Sequence, residues 1–251
     1  MTVHTTGDPQ DTRQFVSMSL DETHYKVIEL VASFPTGKAL DFPAGSGRLS
    51  WWLHKKEFEV IAGDSLPENF QNPEIPIVRG DLDGKFPFAD SSFDYAFCID
   101  GPEHVENLYH TFREFARILK PDGKMVISYP NYSNIESRLR TIFYGVLEPV
   151  EPRKHIETKQ SRDIKNNGHI NRVPYALLRM ALEYAGFRIE HITSEKTKRN
   201  QLFLLPLFLL IKLFTKISGK KGATKYWLHE SNCYNVLMGG NDLILICALN
   251  K

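Results

Sequence analysis

A short apolar run that ends in Asp41 and continues into a glycine-rich turn constrains the fold of this chain most. The run predicts a buried strand, and Gly45 and Gly47 let the backbone of the turn approach a ligand with no side chain in the way. Two more acidic residues, Asp64 and Asp81, each follow a further apolar run that ends in glycine. Three carboxylates at the ends of three successive strands predict a negatively charged crevice, which suits a cationic nucleoside ligand better than an anionic one.

Predicted strands and helices alternate along most of the chain. After a helix at 15–32, we expect strands at 38–42, 59–63, 75–79, 93–99 and 124–129, with helices at 48–55 and 105–119. Helices at 134–145 and 174–185 follow, then a sixth strand at 187–194 and a seventh at 242–249. This alternation with short turns predicts a parallel sheet covered by helices on both faces.

Length, composition and charge indicate which classes of protein and which partners this chain is compatible with. The 251 residues suffice for one large α/β domain, which we place at 15–251, after a flexible N-terminus at 1–14. A formal net charge of +1 gives no overall positive field to attract phosphates, so we expect no nucleic-acid partner. Because residues 1–14 are polar, they predict no secretory signal, and a cytoplasmic location is expected.

Two classes of cofactor use a turn of this kind. A dinucleotide would place its diphosphate over the helix N-terminus, and S-adenosylmethionine would place its methionine part there. The turn that contains Gly45 and Gly47 lacks the third glycine of the dinucleotide fingerprint. Asp41 would repel a diphosphate but attract an ammonium group, while Asp64 can accept both ribose hydroxyls and Asp81 can accept from the adenine amino group. The residues therefore favour S-adenosylmethionine, which carries a net positive charge.

From about residue 38 to residue 194, the chain resembles the class I S-adenosylmethionine-dependent methyltransferases. The segments that carry the resemblance are Gly80-Asp81, Phe-Pro-Phe-Ala-Asp-Ser-Ser-Phe-Asp at 86–94, Glu-His-Val-Glu-Asn at 103–107 and Ala-Arg-Ile-Leu-Lys-Pro-Asp-Gly at 116–123. Their succession is similar to the large subgroup that acts on small molecules, lipids and sugars. The resemblance implies a Rossmann-like, seven-stranded and mostly parallel sheet with helices on both faces and an antiparallel last strand. An apolar helical insertion at 196–241 would separate strands six and seven.

The resemblance also implies a set of cofactor-binding residues: Asp41, Ala44, Gly45 and Gly47 in the methionine-binding loop, Asp64 at the ribose, Asp81 and Leu82 at the adenine, and Ile99 at the end of strand four. Pro43 departs from the family pattern, because it stands where the first glycine of the loop is usual. Proline has no amide hydrogen, so one backbone contact could be lost there.

Asp100, Glu103 and His104 follow the fourth strand, at the edge where ligands bind. Their spacing is similar to the acid-x-x-Glu-His trio with which ubiquinone-pathway O-methyltransferases bind a divalent metal, although Asp100 replaces a glutamate. Two alternatives stay open: Glu103 and His104 cap the next helix, or His104 acts as a general base. His169 is a second candidate for the base or for a substrate contact, and otherwise caps the helix at 174–185.

The apolar segment 202–214 is too short to span a bilayer, which takes about 20 apolar residues. Lysines lie on both sides of it, so it could lie in a membrane interface with its lysines on anionic head groups. That interpretation would place the protein at the inner face of a membrane. The alternative is a helix that packs over the active site or against a second subunit.

The resulting hypothesis is methyl transfer from S-adenosylmethionine to a small-molecule, lipid-linked or glycan acceptor, with oxygen favoured as the accepting atom. A divalent metal at Asp100, Glu103 and His104 is an additional hypothesis. The main alternative is an inactive methyltransferase-like scaffold at a membrane surface. A nicotinamide-dependent oxidoreductase is the third, and it requires a diphosphate site that this loop lacks.

Overall fold

The computed structural model describes residues 21–149 and 168–250, so the predictions made for 1–20 lie outside the described residues. Its strands are β1 Lys38–Asp41, β2 Glu59–Asp64, β3 Ile77–Arg79, β4 Phe93–Cys98, β5 Leu119–Pro130, β6 Phe187–Ser194 and β7 Asp242–Leu249. The helices before β6 are α1 Asp21–Val31, α2 Arg48–Lys55, α3 Leu108–Ile118, α4 Ile135–Tyr144 and α5 Tyr175–Tyr184. Between β6 and β7 lie α6 Leu205–Ile217, α7 Gly219–Lys225, α8 Leu228–Ser231 and α9 Tyr234–Leu237.

The strands form one sheet in the order β3-β2-β1-β4-β5-β7-β6. Strands β1 to β5 pair in parallel, and β7 runs antiparallel to both of its neighbours, β5 and β6. The predicted Rossmann-like sheet with an antiparallel last strand is therefore confirmed. The chain order reverses between β1 and β4, which is where an open α/β sheet forms a ligand crevice at the carboxyl ends of its strands.

Helices cover both faces of the sheet, as the alternating sequence pattern predicts. Neighbouring residues of β1 point into opposite cores, Ala39 into one and Leu40 into the other, as expected for a strand buried on both faces. The core on the Ala39 side is closed by α1 and α2, which contribute Val27, Val31, Leu49, Trp52 and Leu53. The core on the Leu40 side is closed by α3 and α5, which contribute Phe112, Phe115, Leu178, Ala181 and Leu182.

Among the described residues, three predicted boundaries differ from the structure by two residues or more. Helix α3 begins at Leu108 instead of residue 105, because the side chain of Asn107 accepts the amide of His110 at 3.0 Å and caps the helix there. Strand β5 begins at Leu119 instead of residue 124, since Leu119 already pairs with Phe93 ahead of a register shift. Strand β3 begins at Ile77, because the preceding residues form a turn.

The insertion between β6 and β7 is helical, as predicted, and it is attached to α4. The α6 residues Leu207, Phe208 and Ile211 pack in a small separate core against Ile135 of α4 and Leu237 of α9. No single described helix is long and apolar enough to cross a membrane, whereas the pair 202–217 and 219–225, bent by 117°, passes the same test of length and composition.

Candidate active site

The loop after β1 has the backbone that its glycines predict. Gly45 and Gly47 adopt positive φ angles of +52° and +89°. A Cβ atom at Gly45 would meet no atom within 4 Å, so this part of the loop borders open space. A Cβ at Gly47 would instead come within 2.5 Å of the Phe70 ring. Gly45 therefore leaves room for a ligand, and Gly47 leaves room for the packing that supports the loop.

Phe42 explains why a glycine precedes both strand-end acids, Asp64 and Asp81. Its buried ring lies against the backbone of Gly63 and Gly80, where an added Cβ would stand 3.0 Å from the ring in each case. The amide of Gly80 also donates to the backbone oxygen of Asp64 at 2.9 Å, which ties the ends of β2 and β3 together. The Phe42 ring thus packs directly before both acids and helps to fix the positions of Asp64 and Asp81 at the ends of β2 and β3.

Pro43 has no amide hydrogen to donate, but the backbone amides of the residues on either side of it both donate hydrogen bonds. Phe42 donates to the Phe97 oxygen at 2.9 Å, and Ala44 donates to the Gly63 oxygen at 2.8 Å. The turn after β4 fits closely against the proline ring, because a Cβ at Gly101 would stand only 2.6 Å from Pro43 Cδ. The glycine-rich loop and the turn after β4 therefore form one continuous surface.

Asp41 is buried at the base of the loop. Its Oδ2 accepts the hydroxyl of Ser50 at 2.6 Å. Burial raises the pKa of Asp41 to about 7, the Ser50 hydrogen bond opposes part of that rise, and the nearby charge of Asp64 adds to it. The site thus holds a carboxyl group that is poised to ionise when a positive charge arrives.

Asp64 joins the loop to β2. Its two carboxylate oxygens each accept one backbone amide at 2.8 Å, Oδ2 from Gly45 and Oδ1 from Leu66. A carboxylate oxygen has a second accepting site, so both oxygens can still accept from a ligand hydroxyl. Asp81 is exposed, and its Oδ1 accepts the amide of Asp83 at 3.0 Å. The structure therefore brings Asp41, Gly45 and Asp64 together and places Asp81 further out along the same edge.

The remaining predicted cofactor residues differ in exposure. Ala44 and Leu82 are half-buried and pack against the two sheet cores, whereas Ile99 is buried with the α1 and α2 side of the sheet. The donor set fits S-adenosylmethionine: open space over Gly45, a carboxylate with accepting capacity next to it, and a buried acid that gains from a nearby cation.

A cavity of about 450 Å³ opens beside this loop. Its described wall includes all of the predicted catalytic and metal residues. It is lined by Asp100, Glu103, His104, Pro130, Asn131, Tyr132, Asn134, Glu136, Ser137, Arg140, Glu148, Pro149, His169, Lys198, Asn241 and Asp242. None of the predicted cofactor residues is in that lining. The crevice and the cavity are two adjoining sites, and they meet where Gly101 contacts Pro43.

Glu103 is the most unusual group in the cavity wall. It is buried, and among the described residues its Oε2 has no hydrogen-bond partner. Burial, assisted by the negative charge of Asp100, raises the pKa of Glu103 well above its usual range. This rise in pKa favours the protonated acid, which can donate one hydrogen bond.

His104 and His169 meet Glu103 in one cluster, in which the potential metal-ligating atoms of the three residues lie within 4.8 Å of one another. His104 Nδ1 lies 3.2 Å from the Gly168 oxygen, and because a carbonyl can only accept, that nitrogen carries the hydrogen. The neutral His104 ring then has its accepting nitrogen at Nε2. Asp100 stands outside the cluster, since its Oδ1 accepts the hydroxyl of Ser128 at 2.6 Å. His169 takes the place that the sequence pattern gave to Asp100.

His169 is held on its other side by two polar residues. The hydroxyl of Tyr132 lies 3.0 Å from His169 Nδ1, and Oε2 of Glu148 lies 3.7 Å from the same nitrogen. Burial works to raise the pKa of Glu148, but the interaction with His169 and the Arg172 charge outweigh it and hold that pKa below its usual range. Glu148 therefore stays ionised beside His169.

Asp242 and Glu195 belong to the same acidic region, and no motif in the sequence predicted either of them. Burial and the charges of Asp100 and Glu195 raise the pKa of Asp242 to about 7. Glu195 accepts the amides of Asn241 and Asp242 at 2.6 Å and 3.0 Å. A signal was available: β7 runs antiparallel, so its first residue, Asp242, lies opposite Pro130 at the carboxyl end of β5. Glu148 left no such signal, because it lies in an irregular segment.

The sheet order, the glycine loop and the strand-end acids together define a Rossmann-like enzyme that binds an adenosyl cofactor. Comparison with known proteins identifies the family, since residues 20–192 match the family model described as a methyltransferase domain. The chain belongs to this family of methyltransferase domains.

Individual relatives are similar over part of the chain. Demethylmenaquinone methyltransferase of Renibacterium salmoninarum is 32% identical over 42% of this chain and 48% of that protein. The 27-O-demethylrifamycin SV methyltransferase of Amycolatopsis mediterranei is 22% identical over 53% of this chain and 57% of that protein. The chain thus spans about half the length of these relatives. A solved S-adenosylmethionine-dependent methyltransferase of Mesorhizobium loti has a similar fold, with a TM-score of 0.55 at 17% identity over 90% of this chain and 97% of that one.

Proposed function

We propose that this methyltransferase transfers the methyl group to a hydroxyl oxygen of a small-molecule, lipid-linked or glycan acceptor that binds in the cavity beside the glycine loop. The observation that carries the proposal is the arrangement of His104 and Glu103 in the wall of that cavity, next to the turn that touches the loop. The relatives are compatible with small-molecule acceptors, since their names refer to demethylmenaquinone and to 27-O-demethylrifamycin SV.

The cofactor part of the proposal assigns roles to the strand-end residues. Bound S-adenosylmethionine supplies a methyl group that is already activated by its sulfonium charge. Asp64 accepts the ribose hydroxyls, Asp81 and Leu82 contact the adenine, and Ile99 packs near it. Asp41, Ala44 and Gly45 hold the methionine part, and Gly47 supports the loop through its packing against Phe70. Most of the rate enhancement then comes from aligning the acceptor, which in favourable cases is worth roughly 7–11 kcal/mol.

The acceptor part assigns the proton. His104, with its hydrogen fixed on Nδ1 by the Gly168 oxygen, takes the acceptor proton at Nε2. Glu103 donates a hydrogen bond to the acceptor, and His169 orients it with the help of Tyr132. The acidic groups Asp100 and Asp242 in the cavity wall favour acceptors that bring hydrogen-bond donors.

A divalent cation at Glu103, His104 and His169 is a second role for the same cluster. The unpartnered, buried Oε2 of Glu103 among the described residues and the fixed tautomer of His104 favour it, because metal-binding histidines usually donate their other N–H to a backbone carbonyl. Because the raised pKa of Glu103 favours its protonated form and a cation binds the carboxylate, cation affinity should rise with pH.

Transfer of a trideuteromethyl group from labelled S-adenosylmethionine tests the proposal. The enzyme is incubated separately with aqueous and lipid extracts, and products are detected by mass spectrometry. Hydriodic acid then releases the label from an O-methyl ether but not from a C-methyl group. His104→Ala should lower the rate at least about 100-fold, the effect typical of losing a general base. His54→Ala, an exposed histidine of α2, is the control and should be unaffected.

Chelation separates the two roles of the cluster. Loss of activity in EDTA, restored by Mg²⁺ or Mn²⁺, would assign the cluster to a metal. Unchanged activity in EDTA, with His104→Ala inactive, would assign the base. A product that resists hydriodic acid would contradict O-methylation. Binding of S-adenosylmethionine without transfer to any extract would instead favour the scaffold alternative.

A further inference from the structure

Exposed apolar side chains lie along the outside of the insertion and at the end of the helix that packs against it. The α6 side chains that point away from the small core are exposed, with Leu210 at 61% and Ile217 at 71%, and Phe203 just before the helix is 77% exposed. Helix α4, which packs against α6, ends in two more exposed apolar residues, Phe143 at 75% and Tyr144 at 77%. Leu202, Leu205, Leu209, Leu213, Phe214 and Ile142 complete this surface, which we call the α4–α6 surface.

The exposed apolar residues of this surface are clustered and not scattered over the protein. Single exposed apolar side chains are normal on a soluble protein, whereas a contiguous patch normally marks an interaction site. On α6, Leu209, Leu210, Leu213, Phe214 and Ile217 follow helical spacing, and the opposite side packs through Leu207, Phe208 and Ile211. The helix is therefore apolar on both its buried and its exposed side, and the exposed side needs a partner.

Charge identifies the chemistry of that partner. From Lys196 to His229 the sequence contains eight lysines and arginines and no aspartate or glutamate. Lys212 and Lys216 are exposed on α6 itself, and Lys220 and Lys221 are exposed on α7 at a sharp bend from it. Helix α6 is apolar, carries exposed lysines, and lies in a segment, 196–229, that contains no acidic residue. These properties match the interfacial zone of a bilayer that carries anionic head groups.

The surface shares helix α4 with the candidate active site. Glu136, Ser137 and Arg140 of α4 line the cavity, while Ile142, Phe143 and Tyr144 at the end of the same helix belong to the α4–α6 surface. Lys198, at the start of the insertion, lies 3.4 Å from Glu136 and lines the same cavity. A bilayer that touches the α4–α6 surface would therefore lie next to the cavity.

We propose that the α4–α6 surface docks on the surface of an anionic lipid bilayer, with α6 lying in the plane of the interface. A lipid-soluble acceptor could then enter the cavity from the bilayer, a consequence that rests on the proposed function. Docking itself does not depend on catalysis.

Sedimentation with vesicles tests the docking. Phosphatidylcholine vesicles are compared with vesicles that contain about one-third phosphatidylglycerol. The wild-type enzyme should bind the anionic vesicles at least about 10-fold more tightly, and rising salt should weaken the binding. Leu209→Glu with Leu213→Glu should lower binding at least about 10-fold, because each charge would have to enter the apolar layer.

Matched variants control for charge and for folding. Leu177→Glu with Tyr184→Glu puts the same charges at exposed apolar positions of α5 and should bind as the wild type does. Lys220→Glu with Lys221→Glu should abolish the preference for anionic vesicles, while Lys55→Glu with Lys85→Glu should retain it. Calorimetry with S-adenosylmethionine should give wild-type affinity for all of these variants, which separates a failure of docking from a failure of the cofactor site.

Two results would overturn the proposal. One is a wild-type enzyme that stays in the supernatant with anionic vesicles. The other is a dimer in sedimentation velocity that Leu209→Glu with Leu213→Glu converts to a monomer, in the absence of vesicle binding. That second result would assign the α4–α6 surface to a second copy of the chain.

Discussion

At the scale of single residues, Phe42 and the glycines around it position the acids of the crevice. The ring reaches β2 and β3 because Gly63 and Gly80 present bare backbone to it, and it also packs edge-on against Phe86 at 5.0 Å. A pattern that looks like a ligand-binding signature, glycine followed by aspartate at two strand ends, therefore has a packing cause as well. Gly45 is different, because the space next to it is open.

Two loop substitutions should separate ligand space from packing. Gly45→Ala should lower the free energy of unfolding by about 1 kcal/mol, because alanine is strained in the left-handed backbone of this position. The loss of binding free energy for S-adenosylmethionine should be larger than that loss of stability. Gly47→Ala should cost roughly 1–3 kcal/mol more, because its Cβ would collide with the Phe70 ring. Urea denaturation and calorimetry measure the two effects. Gly84→Ala, where a Cβ has ordinary contacts, is the control, and equal effects at 45 and 47 would contradict this division of roles.

The raised pKa of Asp41 predicts a pH dependence with a definite sign. The folded protein holds this proton up to about pH 7, whereas the unfolded chain releases it near 3.8. The contribution of Asp41 to the free energy of unfolding is therefore fully present below its pKa in the unfolded chain. That contribution falls as the pH rises towards and through its pKa in the folded protein, and it stays constant at higher pH. Asp242, with a pKa raised to about 7, adds to the same trend. Asp41→Asn should flatten the fall, as measured by urea denaturation across that range.

Cofactor binding should have the opposite pH dependence. A cationic ligand favours ionised Asp41, so S-adenosylmethionine should bind more tightly as the pH rises from about 6 to about 8, with release of a proton. Calorimetry in buffers of different ionisation enthalpy measures that proton. The Asp41→Asn variant should lose the dependence. A wild-type affinity that is constant over this range would show that Asp41 does not sense the ligand's charge.

At the scale of elements, Arg138 fastens the insertion to α4. Its guanidinium donates to the backbone oxygen of Ser231 at 2.6 Å, to Asn232 Oδ1 at 2.7 Å and to the backbone oxygen of Ser133 at 2.8 Å. The same Asn232 side chain donates to Thr215 of α6 at 2.8 Å. A single side chain therefore joins α4 to α8, and through Asn232 to α6.

Arg138→Met should cost roughly 2–3 kcal/mol, since it leaves several buried acceptors without donors. The insertion should also become more sensitive to limited proteolysis than the rest of the chain, and vesicle binding should weaken with it. Arg188→Met removes an exposed arginine of β6 that pairs with Glu190, and it should change stability by less than about 0.5 kcal/mol. Uniform proteolysis of the Arg138 variant would contradict a local role.

How much the sequence could predict depends on whether a signal is local. Strand ends marked by an acid, such as Asp41 and Asp64, follow from alternation and turn chemistry within a few residues. The cavity does not, because Glu148, His169 and Asp242 reach it from segments far apart in the chain. The exposure of α6 was equally undetermined, since an apolar helix fits a core, an interface or a bilayer equally well until its neighbours are known.

At the scale of the whole molecule, two adjoining sites share one edge of the sheet. The crevice is built from the ends of β1, β2 and β3, and the cavity proposed for the acceptor is built from the turn after β4, the end of β5, α4 and the start of β7. The insertion adds the α4–α6 surface at the outer side of α4. We therefore expect cofactor affinity and membrane binding to be separable by substitution, and acceptor turnover to depend on both when the acceptor is a lipid.

Calorimetric titration of the wild-type protein and of Asp64→Ala with S-adenosylmethionine tests the central claim, that the acidic strand ends hold a cationic adenosyl donor. The account predicts one binding site in the wild type and an affinity at least about 30-fold lower in Asp64→Ala, equivalent to about 2 kcal/mol. Asp90→Ala, an exposed acid paired with Arg117 elsewhere on the surface, should bind as the wild type does. Equal affinity of Asp64→Ala and the wild type, or no binding by the wild type, would contradict it.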